Sequence, residues 1–425
     1  MRDMKDSGIE WIGAIPNTWN LTKTRRLFKT NKEIVGEQAD KYERLALTLS
    51  GVIKRSKTDT DGLQPEKFES YQILKENELV FKMIDLENVS TSRVGLSHYT
   101  GLVSPAYIVL KNDKTDNRYA YYWFMSMYFN EVFNHLGGTG VRSSLNASDM
   151  LALPIPNISD FEQKAISDYL DLVCSHIASA ISRQEAIIEK LKEYKLSVIT
   201  EAVTKGLNSS AEFKDTNVEW LGRIPAHWSL YRVADLYYQT NERGNEDLPI
   251  LTVSINSGIS DRELEDDEQD RVFARSDDRT KYKRVIPGDL AYNMMRAWQG
   301  AFGAVRVNGM VSPAYITCRP KDDVDIDTRY IEYLFRSSMA IEEMHRHSHG
   351  IADFRLRLYW PEFKNIKLCL PPIGEQSNIA DYIDKTTIAI DTEITRIQNI
   401  VDKLNDYKKS LIYEVVTGKK EIGSL

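Results

Sequence analysis

Apolar side chains fall into two rhythms along the chain. Within residues 162–204 the positions Ile177, Ile181, Gln184, Ile188, Leu191, Lys195 and Val198 recur at alternating spacings of four and three. Within residues 375–417 the matching set is Ile390, Ile394, Ile397, Val401, Leu404, Lys408 and Leu411. A period of about 3.5 residues is the seam along which helices supercoil. Each stretch is therefore predicted to be one long helix, and the shared register predicts a helix pair. Pro154 and Pro156 precede the first stretch, Pro371 and Pro372 precede the second, and neither stretch contains a proline. That is the distribution a long helix needs, because proline lacks the N–H and clashes with the preceding turn. Ser159-Asp-Phe-Glu162 fits a capping box, and Gly206 and Gly418 are suited to stop the helices. Elsewhere the pattern shortens. Residues 102–110, 285–293 and 310–318 are rich in β-branched and aromatic side chains and are predicted strands. Residues 118–136 and 327–344 are predicted helices with aromatic apolar faces. The expected fold class is α+β.

The pattern occurs twice. Residues 5–19 (KDSGIEWIGAIPNTW) and 214–228 (KDTNVEWLGRIPAHW) share 8 of 15 positions at an offset of 209. VSPAYI occurs at residues 103–108 and again at 311–316. The long helical stretches align without a gap at an offset of 213, with 19 of 43 positions identical. The chain is thus a direct repeat, globular segment then helix, twice over. The expected boundaries are 1–159, 160–205, 206–374 and 375–425.

Composition adds limits. At 425 residues with 42% hydrophobic and 28% charged side chains, the chain is folded and too long for one core. No apolar run reaches the length of a membrane span, and the three cysteines are far apart in sequence, so no membrane segment, no zinc knuckle and a cytoplasmic location are expected. The net charge of −7 argues against indiscriminate coating of nucleic acid. Much of the acidic excess lies in residues 261–270, with seven acids against one arginine, so local basic faces remain open.

Catalytic motifs are missing. Ser104-Pro-Ala-Tyr107 and Ser312-Pro-Ala-Tyr315 approach the loop that holds an extruded adenine, but each lacks the second proline; both are expected to be buried strands with a tight entry. No GxxxxGK[ST] loop is present, so ATP hydrolysis is unsupported. His345-Arg-His-Ser-His349 would present alternate histidines on one side of a strand, as a metal site does, but its basic surroundings favour a polar loop, either facing nucleic acid or a plain solvated turn; no metal and no cofactor are expected. The candidates for DNA contact are Arg142, Ser143 and Ser144 in a glycine-rich loop, with Arg355 at the matching place in the second repeat. Arg346 and Arg357 join them, together with two basic clusters, Lys54, Arg55 and Lys57, and Lys281, Lys283 and Arg284. Glycine permits close backbone approach, and arginine with hydroxyls suits phosphate, although a basic run is more often a solvated face.

Several of these stretches together resemble one family. EWIGxIPxxW at the start, Gly288 to Ala301 with its Met-Arg-Ala-Trp-Gln-Gly-Ala, VSPAY, and Pro-Pro-(x)2-Glu-Gln-(x)2-Ile-(x)2-Tyr before a long helix are similar to the specificity subunit of type I restriction-modification systems. The resemblance covers nearly the whole chain. It implies two target recognition domains in a pseudo-two-fold arrangement, separated by two long antiparallel coiled-coil helices. It implies double-stranded DNA as a partner, with each domain reading one half of a bipartite site. It also implies two methylation subunits docked on the helices, ATP-dependent restriction subunits joining through the complex, and no catalysis by this chain. A scaffold that pairs methylation subunits without binding DNA is the alternative. Residues 78–87 (ELVFKMIDLE) lack the Arg-Ala-Trp-Gln-Gly of the second repeat, so the two domains are not expected to read the same half-site.

Overall fold

The computed structural model describes residues 2–59, 68–84, 86, 92–112, 116–136, 144–245, 247–255, 257–265, 278–350 and 356–422. Helices and strands are mixed in α+β fashion, and the chain divides into two compact units, Met1–Glu185 with Asn399–Leu425, and Ala186–Gln398. The division cuts each long helix in two. The first unit holds the start of one long helix and the end of the other; the second unit holds the complementary parts.

In the first unit a hairpin (Met4–Asp6 with Ala14–Pro16) leads to strand Asn20–Lys23, which pairs with Pro154–Asn157 at the foot of the long helix. One four-stranded sheet runs in the order Gly51–Arg55, Arg44–Thr48, Gly101–Val103, Gln72–Leu74, and another in the order Lys29–Thr30, Ile108–Lys111, Leu79–Phe81, Val94–Leu96. The second unit has the same plan. Its hairpin is Phe213–Asp215 with Arg223–Pro225, and Ser229–Arg232 pairs with Lys367–Leu370. Its four-stranded sheet runs Tyr237–Thr240, Tyr315–Pro320, Leu290–Asn293, Phe302–Ala304, and Lys283–Val285 pairs with Gly309–Val311.

The strands expected over 102–110 and 310–318 are each two strands joined by a turn. Val103 ends one strand and Ile108 starts the next; Tyr107 N–H donates to the Ser104 carbonyl at 3.0 Å and Ala106 N–H to Ser104 Oγ at 3.3 Å. The second copy repeats this at Ser312, with bonds of 3.0 and 3.3 Å. Serine followed by proline is turn chemistry, so VSPAY is a bend that carries the chain from one sheet to the next, not a strand. Residues 285–293 break likewise, at Gly288, whose φ of +98° admits glycine readily. The helices expected over 118–136 and 327–344 are also interrupted. Asn117–Phe129 stops before Glu131, held at a φ of +55°, and Val132–Leu136 follows. Thr328–Phe335 stops at Arg336, and Ser337 caps Ser338–Arg346.

The long helices form as the seam predicts. They span Asp160–Lys205 (46 residues) and Ile373–Val416 (44 residues). Every seam position is buried or half-buried, while most residues between are exposed. The expected capping box is half made. Glu162 N–H donates to Ser159 Oγ at 3.3 Å, but the Glu162 carboxylate accepts instead from Arg2 at 2.7 Å and from the Trp19 indole at 3.1 Å. Gly206 and Gly418 end the helices with φ of +73° and +72°. The EW(I/L)GxIPxxW segments seat these ends. In the first unit Pro16 and Trp19 lie against Gly418, and in the second Pro225 and Trp228 lie against Gly206. The first unit's core joins Trp19, Trp123 and Phe124 to Ile166 and Leu170 of the first long helix and to Leu411, Val415 and Val416 of the second. The second unit's core joins Trp228 and Tyr330 to Val203, Ile379 and Ile383.

Candidate nucleic-acid interface

A polar lock, made twice, fixes each globular segment to its long helix. Asp116 caps the helix that begins at Asn117, accepting from Arg118 N–H at 2.8 Å. The Arg118 guanidinium then reaches Asp116 (2.7 Å), Asp168 (2.9 Å) and Asp171 (2.8 Å), and Tyr122 Oη donates to Asp171 at 2.7 Å. Arg329 does the same with Asp327 (2.8 Å), Asp381 (2.7 Å) and Asp384 (3.0 Å), and Tyr333 donates to Asp384. Hydrogen bonds to Lys164 and Arg118 hold the Asp168 carboxyl below the usual carboxylate range. Burial works against the Asp327 charge, but its bonds to Arg329 outweigh that and lower its pKa. One residue on from each arginine, a tyrosine joins the other long helix. Tyr119 Oη donates to the Val416 carbonyl at 3.3 Å and Tyr330 Oη to the Val203 carbonyl at 3.0 Å. The repeated Asp-x-Arg-Tyr at 116–119 and 327–330 carries this lock; it is legible in the repeat alignment, but the sequence reading above did not single it out.

The VSPAY bends are pinned by different residues doing one job. In the first unit the Gln72 amide donates to the carbonyls of Ser104 (2.9 Å) and Tyr107 (2.7 Å). In the second unit Lys283 occupies the same place in the ladder, opposite Val311 as Gln72 is opposite Val103, and its Nζ donates to the Tyr315 carbonyl at 2.7 Å. Burial pushes the Lys283 ammonium below the ordinary lysine value.

The candidates chosen from sequence are placed unequally. Arg142, Ser143 and Arg355 lie outside the described residues. Ser144 is exposed and bridges to Ile84. Lys54 pairs with Glu43 at 2.6 Å, Arg55 lies 3.9 Å from Asp59, and Lys57 donates to the Ala39 carbonyl at 2.6 Å. Lys281 pairs with Asp278 at 3.3 Å. Arg346 faces Glu219, Glu342 and Glu343 at 3.1 to 3.5 Å. The Arg357 side chain bonds the Tyr359 hydroxyl at 3.5 Å, and its backbone bridges to His349. Arg284 is exposed, with no side-chain partner among the described residues. The histidine group does not alternate along a strand. His345 lies in a helix and meets Trp298 edge-on at 5.3 Å, and His347 bonds Glu343 at 3.2 Å.

Recesses open on the first unit between described residues. One, of about 440 Å³, runs beside the VSPAY bend and is lined by Lys32, Gln72, Ile84, Tyr107, Ser144 and Asn146, among others. Another, of about 980 Å³, is an open cleft whose lining includes Arg93, Tyr121, Tyr128, Glu185, Asp402 and Lys408. Among the described residues no helix is long and apolar enough to cross a membrane.

Comparison with known proteins bears out the resemblance drawn from the motifs. No protein-family model matches the chain. The type I restriction enzyme EcoKI specificity subunit of Escherichia coli (strain K12) is 23% identical over 442 residues, covering 96% of this chain and 90% of that protein. The EcoBI specificity subunit of Escherichia coli is 23% identical over 326 residues, 73% of this chain and 67% of that protein. The StySPI specificity subunit of Salmonella potsdam is 22% identical over 314 residues, 71% of this chain, and the match spans 65% of that protein's own length. Among solved structures, a chain from work on complex assembly and conformational transition of the type I restriction-modification system superposes with a TM-score of 0.66 at 10% identity, covering 96% of this chain and 99% of that one. The fold is shared with that chain, and the sequence is similar to type I specificity subunits over almost all of its length.

Proposed function

We propose that this chain is the sequence-specific DNA-binding subunit of a type I restriction-modification complex, itself without catalytic activity. It recognises a bipartite site in double-stranded DNA and directs methylation subunits, and through the complex restriction subunits, to that site. The observation that carries the reading is the duplicated plan with unlike surfaces. The same bends, locks and helix seats occur in both units, yet the side chains around the bends differ, as two readers of different half-sites require. The finer layout belongs to the same proposal: target recognition domains over 1–159 and 206–374 in a pseudo-two-fold arrangement, separated by antiparallel helices. The seam and the Lys195–Asp391 pair at 2.6 Å support the helix pairing. Tyr194 and Tyr407 hold matching repeat positions and are 55% and 49% exposed, which suits docking of one methylation subunit on each helix. DNA contacts are proposed at Arg142, Ser143, Ser144, Arg284, Arg355 and Arg357. Lys54, Arg55, Lys57, Lys281 and Arg346 would first have to exchange their present partners, and Lys283 is held by its bend.

The test is to express the chain with its methylation subunits in a host lacking adenine methylation and to map modified adenines across the genome. One modified adenine in each half of a split motif is expected. Methylation by this chain alone, or a short continuous motif, overturns the proposal. Methylation subunits that pair on the chain while DNA retention is absent would establish the scaffold alternative.

A further inference from the structure

The two units place very different charge on one shared piece of backbone. In the first unit the segment Asn20–Lys23, Thr24–Arg26, Lys29–Thr30 and on to Lys32 carries Lys23, Arg25, Arg26, Lys29 and Lys32, with no acid between residues 21 and 32. All five side chains are exposed, and among the described residues none has an ion-pair or hydrogen-bond partner. In the second unit the matching segment is Ser229–Arg232, Val233–Leu236 and Tyr237–Thr240. The match is structural. Thr24 N–H donates to the Leu153 carbonyl as Val233 N–H does to the Ile366 carbonyl, and Lys23 pairs with Pro154 as Arg232 does with Lys367. Along it Lys23 becomes Arg232, Arg25 becomes Ala234, Arg26 becomes Asp235, Lys29 becomes Tyr238 and Lys32 becomes Asn241. The one remaining cation, Arg232, is neutralised by Asp235 at 2.8 Å.

Five unpaired cations in ten residues are not needed to hold this segment. Its place is fixed by strand pairing, by the buried Phe28 and by the bond of Thr24 Oγ1 to the Leu153 carbonyl at 2.8 Å. The segment joins short strands, which advance ~3.3 Å per residue, through the 3-10 turn Thr24–Arg26, and its cations fall two, one, three and three residues apart. A duplex strand carries one phosphate per ~3.4 Å of rise, so several phosphates of one strand come within reach of a track of this length. Lys32 also lines the recess that holds Ser144, the first described residue after the glycine-rich loop.

We propose that the Lys23–Lys32 segment of the first unit is a phosphate-binding track for the DNA backbone, and that the second unit has no counterpart. The inference rests on the reading of the chain as a DNA-binding subunit and adds an inequality to it: one half-site is held through counterion release far more than the other. The contacts are with phosphate and carry no base information.

The test uses the full chain and a mixed-sequence DNA duplex, with affinity measured by fluorescence anisotropy over a range of KCl concentrations. The variant R25Q/R26Q/K29Q/K32Q is expected to lower the slope of log affinity against log salt by up to about 3.5, since each neutralised phosphate contributes ~0.9. K29Q/K32Q is expected to give about half that decrement. R25K/R26K, which keeps the charge, and R232Q, whose cation is already paired, are expected to leave the slope at its wild-type value. A wild-type chain that binds no duplex overturns both this inference and the function it rests on. Wild-type binding with an unaltered slope in the quadruple variant overturns the track alone. An equal loss of slope from R232Q overturns the inequality between the units.

Discussion

Lys283 shows how one side chain can be read two ways. In sequence it stands in a basic run, Arg279-Thr-Lys-Tyr-Lys-Arg284, and suggests DNA. In the structure its ammonium is half-buried and tied to the Tyr315 carbonyl, where the other unit uses Gln72. The ladder register, not the charge, decides its task. Lys283→Ala is therefore expected to destabilise the protein by about 1–3 kcal/mol, the usual result of leaving a buried carbonyl unpaired. Lys283→Gln, which copies the first unit's solution, is expected to retain most of that stability. Urea unfolding of both variants checks this, and equal losses would show that the charge rather than the hydrogen bond matters. Composition could not have revealed the difference, because Gln72 and Lys283 are unlike residues and align only once the strands are paired.

Among the elements, the long helices were the most legible part. A seam kept over many turns needs no knowledge of its partner, and Gly206 and Gly418 sit where a left-handed residue must end a helix. The short strands were misread because VSPAY and the residues around Gly288 are apolar enough to pass for strand while their backbones turn. The same limit applies to the helices around Glu131 and Ser337, whose breaks depend on single residues. The two helix ends also differ in a way the sequence does not show. A Cβ on Gly418 would lie 2.5 Å from the Pro16 ring and 3.1 Å from the Trp19 ring, whereas on Gly206 it meets the Glu375 carboxylate at 3.1 Å and the Trp228 ring at 3.2 Å, with the Pro225 ring out at 3.9 Å. A carboxylate can swing aside and a buried proline ring cannot. Gly206→Ala should cost about 1–2 kcal/mol for the left-handed backbone, with a small addition for the tight Trp228 contact. Gly418→Ala should cost about 1–3 kcal/mol more, as overpacking does. Equal shifts in unfolding midpoint would contradict the seating of Gly418 on Pro16.

At the scale of the molecule, the repeat was plain from sequence, but the way the units share their helices was not. Periodicity predicts that the helices pair, and nothing in it says that Tyr119 bonds Val416 or that Tyr413 donates to the carbonyls of Trp11 and Ile12. These bonds tie residues some 300 to 400 positions apart within one unit. They have a consequence for the order of synthesis. When residue 185 leaves the ribosome, the first unit still lacks Leu411, Ile412, Val415 and Val416 of its core. The intervening residues 186–398 are the whole of the second unit, and at ~5–20 residues per second they take roughly 10–40 s to make. Ribosome-bound chains arrested when residue 398 has just emerged from the exit tunnel should therefore show a protease-resistant second unit beside a first unit that is still cut. Resistance of both units at that point would mean that the first core closes without its last helix. As built, the half of the protein that is translated first is the half that finishes folding last.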